Sequence, residues 1–224
     1  MTDSHPPPPP RTAAPAARTP GPQGAERKAQ LLACAKARLL EQGWAGTSVA
    51  SIVQAAGVAQ GTFYLYFESK QALLGELRRE VFRDYERALK AVAALPLPPD
   101  ARLVRVVEEM AAAVARNVDL VRVFREAETA AATERLALEG RARLGRTAAA
   151  IVQEGIDQGC FRPGEPALAA AFVVAFFDDV LYESIAYGQP GPPEAVVPAG
   201  LRFTLQALGV APERVDALLR PPCP

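Results

Sequence analysis

Histidine is almost missing from this chain of 224 residues: the one present, His5, sits in a proline run. A histidine-ligated metal centre or a Ser-His-Asp triad therefore cannot be assembled. Cysteine is scarce as well. Cys34, Cys160 and Cys223 lie far apart with no paired spacing, which argues against a disulfide framework and for a reducing, cytoplasmic setting. No Gly-rich phosphate loop of the GxGxxG or Walker type occurs. The longest apolar run, Ala167 to Phe177, is too short to span a bilayer, and the N-terminus lacks the apolar stretch of a signal peptide. No membrane span, metal, cofactor or catalytic constellation is expected.

What is present is the balance of an ordinary globular chain, 50 % apolar and 22 % charged, with 25 basic against 25 acidic groups. The charge is unevenly placed. Residues 1–90 carry 12 basic and 8 acidic groups, whereas residues 91–224 carry 13 and 17, so the front is the part suited to meet phosphate. Residues 1–24 hold 8 of the 21 prolines, five of them consecutive from Pro6 to Pro10. Such a composition cannot bury a core and predicts an extended tail. Arg11 and Arg18 in it can reach a minor groove, although a solvated tail without a specific contact is the simpler reading.

From Ala25 onward no segment alternates with period two over a strand's length, and Ala and Leu dominate, so the fold class is all-α. About nine helices are predicted. The first covers 25–42 and is closed by Gly43 as a left-handed cap. Thr47 or Ser48 caps a second, Gly57 turns the chain, and a short third helix covers 59–67. Ser69 caps a long fourth helix ending before Pro96. A fifth covers 100–117 and a sixth 118–130. The remainder are expected at 133–159, 166–187 and 193–208, with a short polar helix near 212–219. Three parts result: a Pro-rich tail (1–24), a three-helix unit (25–70) and a larger helical bundle (71–224).

The stretch TSVASIVQAAGVAQGTFYLYFESK, Thr47–Lys70, is a helix, a turn holding Gly57 and a second short helix, the helix-turn-helix plan. Ile52, Ala56 and Val58 point inward, and Phe63 and Phe67, four apart, share the face that packs on the first helix. The opposite arc presents Gly61, Thr62, Leu65 and Tyr66. That surface suits a DNA major groove. Gly61 has no side chain to hold the backbone off the bases, and Thr62 can bond a base edge or touch a thymine methyl. Gln60, Tyr64 and Tyr66 can reach phosphates or base edges, Lys70 adds a cation, and the helix start at Thr47–Ser48 offers N–H groups to a phosphate. The plain alternative is a corner of a bundle. The density of Phe and Tyr over 63–67, directly after a capped amphipathic helix, weighs against it.

Leu31-Leu32, Ala35, Gly43-Trp44, Thr47-Ser48-Val49, Ile52, Ala56-Gly57-Val58, Gly61-Thr62-Phe63-Tyr64, Phe67 and Ser69-Lys70 follow one another in a familiar order. Through them Leu31–Leu74, about a fifth of the chain, resembles the DNA-binding domain of the TetR family of bacterial transcriptional regulators. The resemblance implies a homodimeric, usually repressing regulator, with a variable helical ligand-binding and dimerisation domain over the rear. It places Thr47, Ala59, Gln60, Gly61, Thr62, Tyr64, Tyr66 and Lys70 at the DNA surface. Two copies in major grooves roughly 34 Å apart, or a small multiple of that, would read a near-palindromic double-stranded operator. The helix over 59–67 carries no Lys or Arg, Gln60 standing where a basic residue is common.

In the rear, Ala170, Val174 and Phe177 on one helix and Val196, Gly200, Leu201, Thr204 and Leu208 on the next are the candidate homodimer contact, with internal core as the alternative. Met110, Phe124, Phe172, Phe176 and Tyr182 are candidates to line an effector pocket. Asp178, Asp179 and Glu183 suit a cationic ligand or a solvated rim, Arg122 and Arg125 an acidic headgroup, and the choice stays open. The resulting expectation is a cytoplasmic, ligand-responsive, sequence-specific transcriptional regulator, a repressor released by a small lipophilic effector. Its rivals are a helical adaptor that binds proteins through residues 59–67, and a small helical enzyme, which lacks the paired acid, base and nucleophile that a catalytic pocket needs.

Overall fold

The structure, a computed structural model, describes residues 22–127, 131–162 and 164–220. The tail expected over 1–24 lies outside it up to residue 21, with His5, Arg11 and Arg18, as does Cys223; the side chains of Phe177 and Asp178 are also outside the described part. Regular structure among the described residues is entirely helical: α1 (Pro22–Gly46), α2 (Val49–Ala55), α3 (Gln60–Tyr64), α4 (Lys70–Ala93), α5 (Pro99–Glu126), α6 (Ala131–Asp157), α7 (Pro166–Ala175), a π-helical turn (Phe176–Leu181), α8 (Tyr182–Tyr187), α9 (Pro193–Ala207) and α10 (Pro212–Leu218).

The front unit closes around one small core. Leu31, Ala35 and Leu39 of α1 meet Ile52 and Ala56 of α2, Phe63 of α3 and Leu73, Leu74 and Leu77 of α4, all buried. Regular α1 geometry stops at Gly43, whose φ of 67° is one that side chains with a Cβ rarely adopt. Beyond α4, whose N-terminal turns belong to this core, α4, α5, α6 and the α7–α8 rod pack on one another, with α9 against the rod and α10 against α9. The front unit leans back on the bundle through α1 and α5.

Two differences from the expected helices have physical causes. The fifth and sixth helices are one, α5. Asn117 does not end it because its side-chain amide donates to the Ala113 carbonyl at 2.9 Å, the i−4 bond a helix can absorb. The buried stripe through Met110, Ala113 and Val114 also runs on through Leu120, Val123 and Phe124. The helix expected over 166–187 is continuous but holds the π turn. The wider turn shifts the phase of everything after it, leaving Asp179 and Val180 exposed while Leu181 and Tyr182 are buried.

Candidate nucleic-acid interface and effector cavity

The α2–α3 corner is held by local bonds that its sequence makes available. Ser48 caps α2 and forms a reciprocal box with Ser51: the Ser51 N–H donates to Ser48 Oγ and the Ser48 N–H to Ser51 Oγ, both at 3.1 Å. Gly57 makes the turn at φ 63°, and the Gln30 amide of α1 donates to the Ala56 carbonyl at 3.0 Å. Phe63 and Phe67 anchor α3 from behind, their ring centroids 5.5 Å apart and both rings buried. Each such ring contributes about 1.5–3 kcal/mol by its removal from water.

The opposite edge of α3 faces solvent. Ala59, Gln60 and Gly61 are exposed, Thr62 and Tyr66 are half-buried, and Tyr64 is 53 % exposed. Among the described residues nothing lies within 4 Å of where a Gly61 Cβ would be. Leu65, placed on this arc from the sequence but given no role, is 79 % exposed, the most open of the large apolar side chains. An uncovered leucine beside two tyrosines and a threonine is suited to thymine methyls and base edges.

Two residues expected at the DNA surface do other work. Thr47 is 2 % exposed, and its hydroxyl faces back into α1, near the carbonyls of Gly43 at 2.8 Å and Arg38 at 3.2 Å. Lys70 Nζ donates to the carbonyls of Thr47 at 2.7 Å and Trp44 at 2.8 Å, and sits 3.8 Å from the centroid of the Trp44 ring. Partial burial pushes its ammonium below the ordinary lysine value. Both tie α1, α2 and α4 together beside the α2–α3 corner.

A second site lies in the bundle. A cavity of about 90 Å³ is lined by Val81, Phe82, Tyr85 and Leu89 of α4, by Val106, Met110, Val114, Val121 and Phe124 of α5, and by Leu144 and Ala148 of α6, closed by Val173, Val174 and Tyr182. Its polar groups are the guanidinium groups of Arg78, Arg125 and Arg141 and the phenols of Tyr85 and Tyr182. Arg78 lies against the Phe124 ring, 4.9 Å from its centroid, and Arg125 over Tyr182 at 4.1 Å. Burial, then the neighbouring Tyr187 hydroxyl, drive the Tyr182 phenol well above the ordinary tyrosine value, so it stays a neutral donor.

Of the expected lining residues, Met110, Phe124 and Tyr182 are in the cavity wall and Phe172 and Phe176 are not. Phe172 is 71 % exposed. The Phe176 ring lies on Gly200, where an added Cβ would come within 2.3 Å of it. Of the described dimer candidates, two are buried and five half-buried. Ala170 and Leu201 are buried, Val174 borders the cavity, the Thr204 hydroxyl donates to the Gly200 carbonyl at 2.8 Å, and Val196 and Leu208 are half-buried. The rod exposes Leu168, Phe172, Val180 and Tyr187, and α9 exposes Phe203, the last 75 % open. Sequence periodicity missed this face because 167–177 is apolar nearly all round and offers no polar side to orient it.

One link between the two sites could not be read from the sequence. The Trp44 N–H donates to Glu126 Oε2 at 3.2 Å across 82 residues, so the last turn of α5 touches the front unit beside the Lys70 clamp. Glu126 follows Phe124 and Arg125, both in the cavity wall.

A helix-turn-helix unit with an open reading edge, joined through α4 and α5 to a bundle that encloses a cavity, is the build of a ligand-responsive DNA-binding regulator. Residues 31–77 match the family model of bacterial regulatory proteins, tetR family, and residues 96–181 that of the tetracyclin repressor-like C-terminal domain. The chain belongs to the TetR family of transcriptional regulators. It is 27 % identical over 190 residues to the HTH-type transcriptional repressor KstR2 of Mycobacterium tuberculosis, covering 82 % of this chain and 92 % of that one. To the regulator EthR of the same species it is 36 % identical over 83 residues, 37 % of this chain and 38 % of the other. Among solved structures, FadR from Bacillus subtilis in complex with stearoyl-CoA shares the fold with a TM-score of 0.68 at 21 % identity, over 79 % of this chain and 97 % of that one. A regulator from Pseudomonas aeruginosa PAO1 does so with a TM-score of 0.70 at 23 % identity, over 82 % and 90 %. Among the described residues no helix is long and apolar enough to cross a membrane.

Proposed function

We infer that this chain works in the cytoplasm as a homodimeric repressor that leaves its operator when a small lipophilic effector occupies the bundle. Residues 25–70 read DNA and residues 71–224 sense and dimerise. The reading surface is Ser48, Ala59, Gln60, Gly61, Thr62, Tyr64, Leu65 and Tyr66, with Thr47 and Lys70 as positioning residues behind it. The observation that carries the reading is the α3 edge: small and hydroxyl-bearing side chains face outward on a helix held by two buried phenylalanine rings. None of the described residues covers Gly61. The names of the curated repressor relatives agree with it.

The second copy docks on the outer face of the α7–α8 rod and α9, where Leu168, Phe172 and Phe203 are otherwise left in water. A two-fold axis there presents two reading edges to a near-palindrome. Effector binding alters DNA affinity to the extent that it favours one spacing of those edges over another. α4 is the lever, since Lys70 clamps the front unit and Arg78, Val81, Phe82, Tyr85 and Leu89 of the same helix line the cavity.

The test is to select duplexes from a randomised pool with the full-length protein and measure gel shifts on them at fixed salt. Replacing Thr62 and Tyr64 together by Ala abolishes the shift and leaves the dimer intact by sedimentation. A double variant that shifts the selected duplex like the parent would refute the assignment.

A further inference from the structure

α3 turns one pair of residues straight away from the core. Its helical path runs on through Leu65, at φ −70° and ψ −25°, and through the bond from the Phe67 N–H to the Phe63 carbonyl at 2.9 Å. At about 100° per residue, Gly61 and Leu65 share one line on this surface, and Phe63 and Phe67 share the line opposite. The two phenylalanine rings are buried, so the Gly61–Leu65 line stands farthest from the core. Gly61 contributes no side chain to it, and Leu65, 79 % exposed, is its one apolar group. Gln60 and Tyr64, both exposed, flank the line on one side, and the half-buried Thr62 and Tyr66 on the other.

The segment has no charged member. From Ala59 to Phe67 the sequence holds no Lys, Arg, Asp or Glu. Glu68 and Lys70 follow the last bond of this turn, and Lys70 Nζ already donates to the carbonyls of Trp44 and Thr47. A bidentate Arg or Lys, the commonest reader of guanine, is therefore absent from the segment, as is an acid to accept from the cytosine amine. What the segment offers instead is the Gln60 amide, which matches the N6–N7 edge of adenine, and the branched tip of Leu65, which matches the C5 methyl of thymine. With a glycine one turn before the leucine, the backbone can approach until that tip touches the methyl.

On the reading above that α3 enters the major groove, we propose that each half-site presents A·T pairs to α3 and that Leu65 recognises them by packing on a thymine methyl. The leucine stays in water in the free protein and leaves it only in the complex, so it favours a methyl over a bare C5–H. Burying one such carbon group corresponds to about fourfold in affinity, and to about fifteenfold when both half-sites contribute.

The experiment uses the full-length protein and the duplex it selects from a randomised pool. Each thymine of both half-sites is exchanged in turn, at symmetric positions, for deoxyuridine, which deletes the methyl and keeps every hydrogen-bonding group of the pair. Affinities are read by gel shift at one salt concentration, low enough for the weakest combination to shift. Exchange at one pair of symmetric positions costs the parent about fifteenfold. Leu65→Ala binds the thymine and uracil duplexes alike within about twofold, whereas Leu65→Met, which keeps the apolar reach, still prefers thymine. An unchanged urea midpoint shows that neither substitution acts through folding. If no exchange weakens the parent by more than about twofold, or if Leu65→Ala keeps the full uracil penalty, this inference falls, and the groove reading is judged separately by the Thr62 and Tyr64 variant. A selected duplex with only G·C pairs in its half-sites overturns it as well. If the parent selects no duplex at all, the inference and the proposed function fall together.

Discussion

Replacing Gly61 by Ala adds one methyl group at the point where the backbone is argued to approach the bases most closely. Among the described residues that methyl meets nothing inside 4 Å, so it creates no clash with them. Ala also favours helix over Gly by about 0.8–1.0 kcal/mol in a helix interior. Near the start of a five-residue helix the gain is smaller, about 0–0.5 kcal/mol. In the complex the same methyl separates α3 from the groove floor and weakens the base contacts of Thr62 and its neighbours. A good pair of base contacts is worth about 1–3 kcal/mol, and a dimer loses it in both half-sites. The expected loss is therefore at least about 2 kcal/mol, or about thirtyfold in affinity. Urea denaturation checks the first half: the midpoint stays or rises. Gel shifts on the selected duplex at constant salt check the second. A variant that is as stable as the parent and binds with unchanged affinity would show that the Gly61 edge does not enter the groove.

Thr47→Val removes the hydroxyl that joins the end of α1 to the start of α2 and costs about 1–2 kcal/mol of stability, read as a lower urea midpoint, while the folded fraction keeps its DNA affinity. Phe203→Glu places like charges across the two-fold axis and yields monomers in sedimentation, with DNA affinity reduced because half-sites then bind separately. Asp100 is buried, which raises its carboxyl, but the Arg214 guanidinium at 2.7 Å and the Ala101 N–H outweigh this and hold it below the ordinary range. Its contribution is thus complete above the unfolded-state value of roughly 3.9 and is lost as pH falls through the lower folded-state value. Asp100→Asn therefore flattens the acid limb of the stability profile below about pH 4 and costs about 1–2 kcal/mol at neutral pH, both measurable by denaturation at several pH values. Glu126→Ala leaves stability nearly unchanged but reduces the fraction of DNA that effector releases, by up to about tenfold in the coupling constant; an unaltered gel-shift response would exclude this contact from the relay.

The front unit was legible because its residues answer to local rules. Gly43, Gly57, the Ser48 cap and the i, i+4 phenylalanine pair each specify a backbone state within a few residues, and the corner they define is the one observed. The resemblance to the family, with the helix start at Thr47–Ser48 and the charge of Lys70, points Thr47 and Lys70 toward DNA. Their actual partners, the carbonyls of Gly43, Arg38, Trp44 and Thr47, become visible only when α1, α2 and α4 are brought together. The rear was harder for a different reason. Met110, Phe124 and Tyr182 lie on helices with a polar side that orients them, and they reach the cavity as expected. Phe172 lies on a segment where apolar residues surround the axis, so no polar side in the sequence oriented it, and it faces outward.

How occupancy in the bundle reaches the DNA edge follows from which helices belong to both sites. α4 enters the front core with Leu73, Leu74 and Leu77 and the cavity wall with Arg78, Val81 and Phe82, so no flexible joint separates the two environments along it. α5 supplies a second, independent contact, since Phe124 and Arg125 face the cavity and the next residue, Glu126, accepts from the Trp44 N–H. Trp44 is in turn held by Lys70 through its carbonyl and its ring, so both routes end on the same residue pair. A ligand that displaces Arg125 acts on the turn that carries Glu126, and one that spreads α4 from α5 shifts Lys70. Either motion moves the α1–α2 junction, and with it the Ser48 cap that sets where α2 begins. α3 is only five residues long and is held by the buried rings of Phe63 and Phe67 in the front core, so it moves with that core. On the proposed function, its displacement relative to the two-fold axis is the quantity that the effector would control, read by the operator as a change in the distance between two edges.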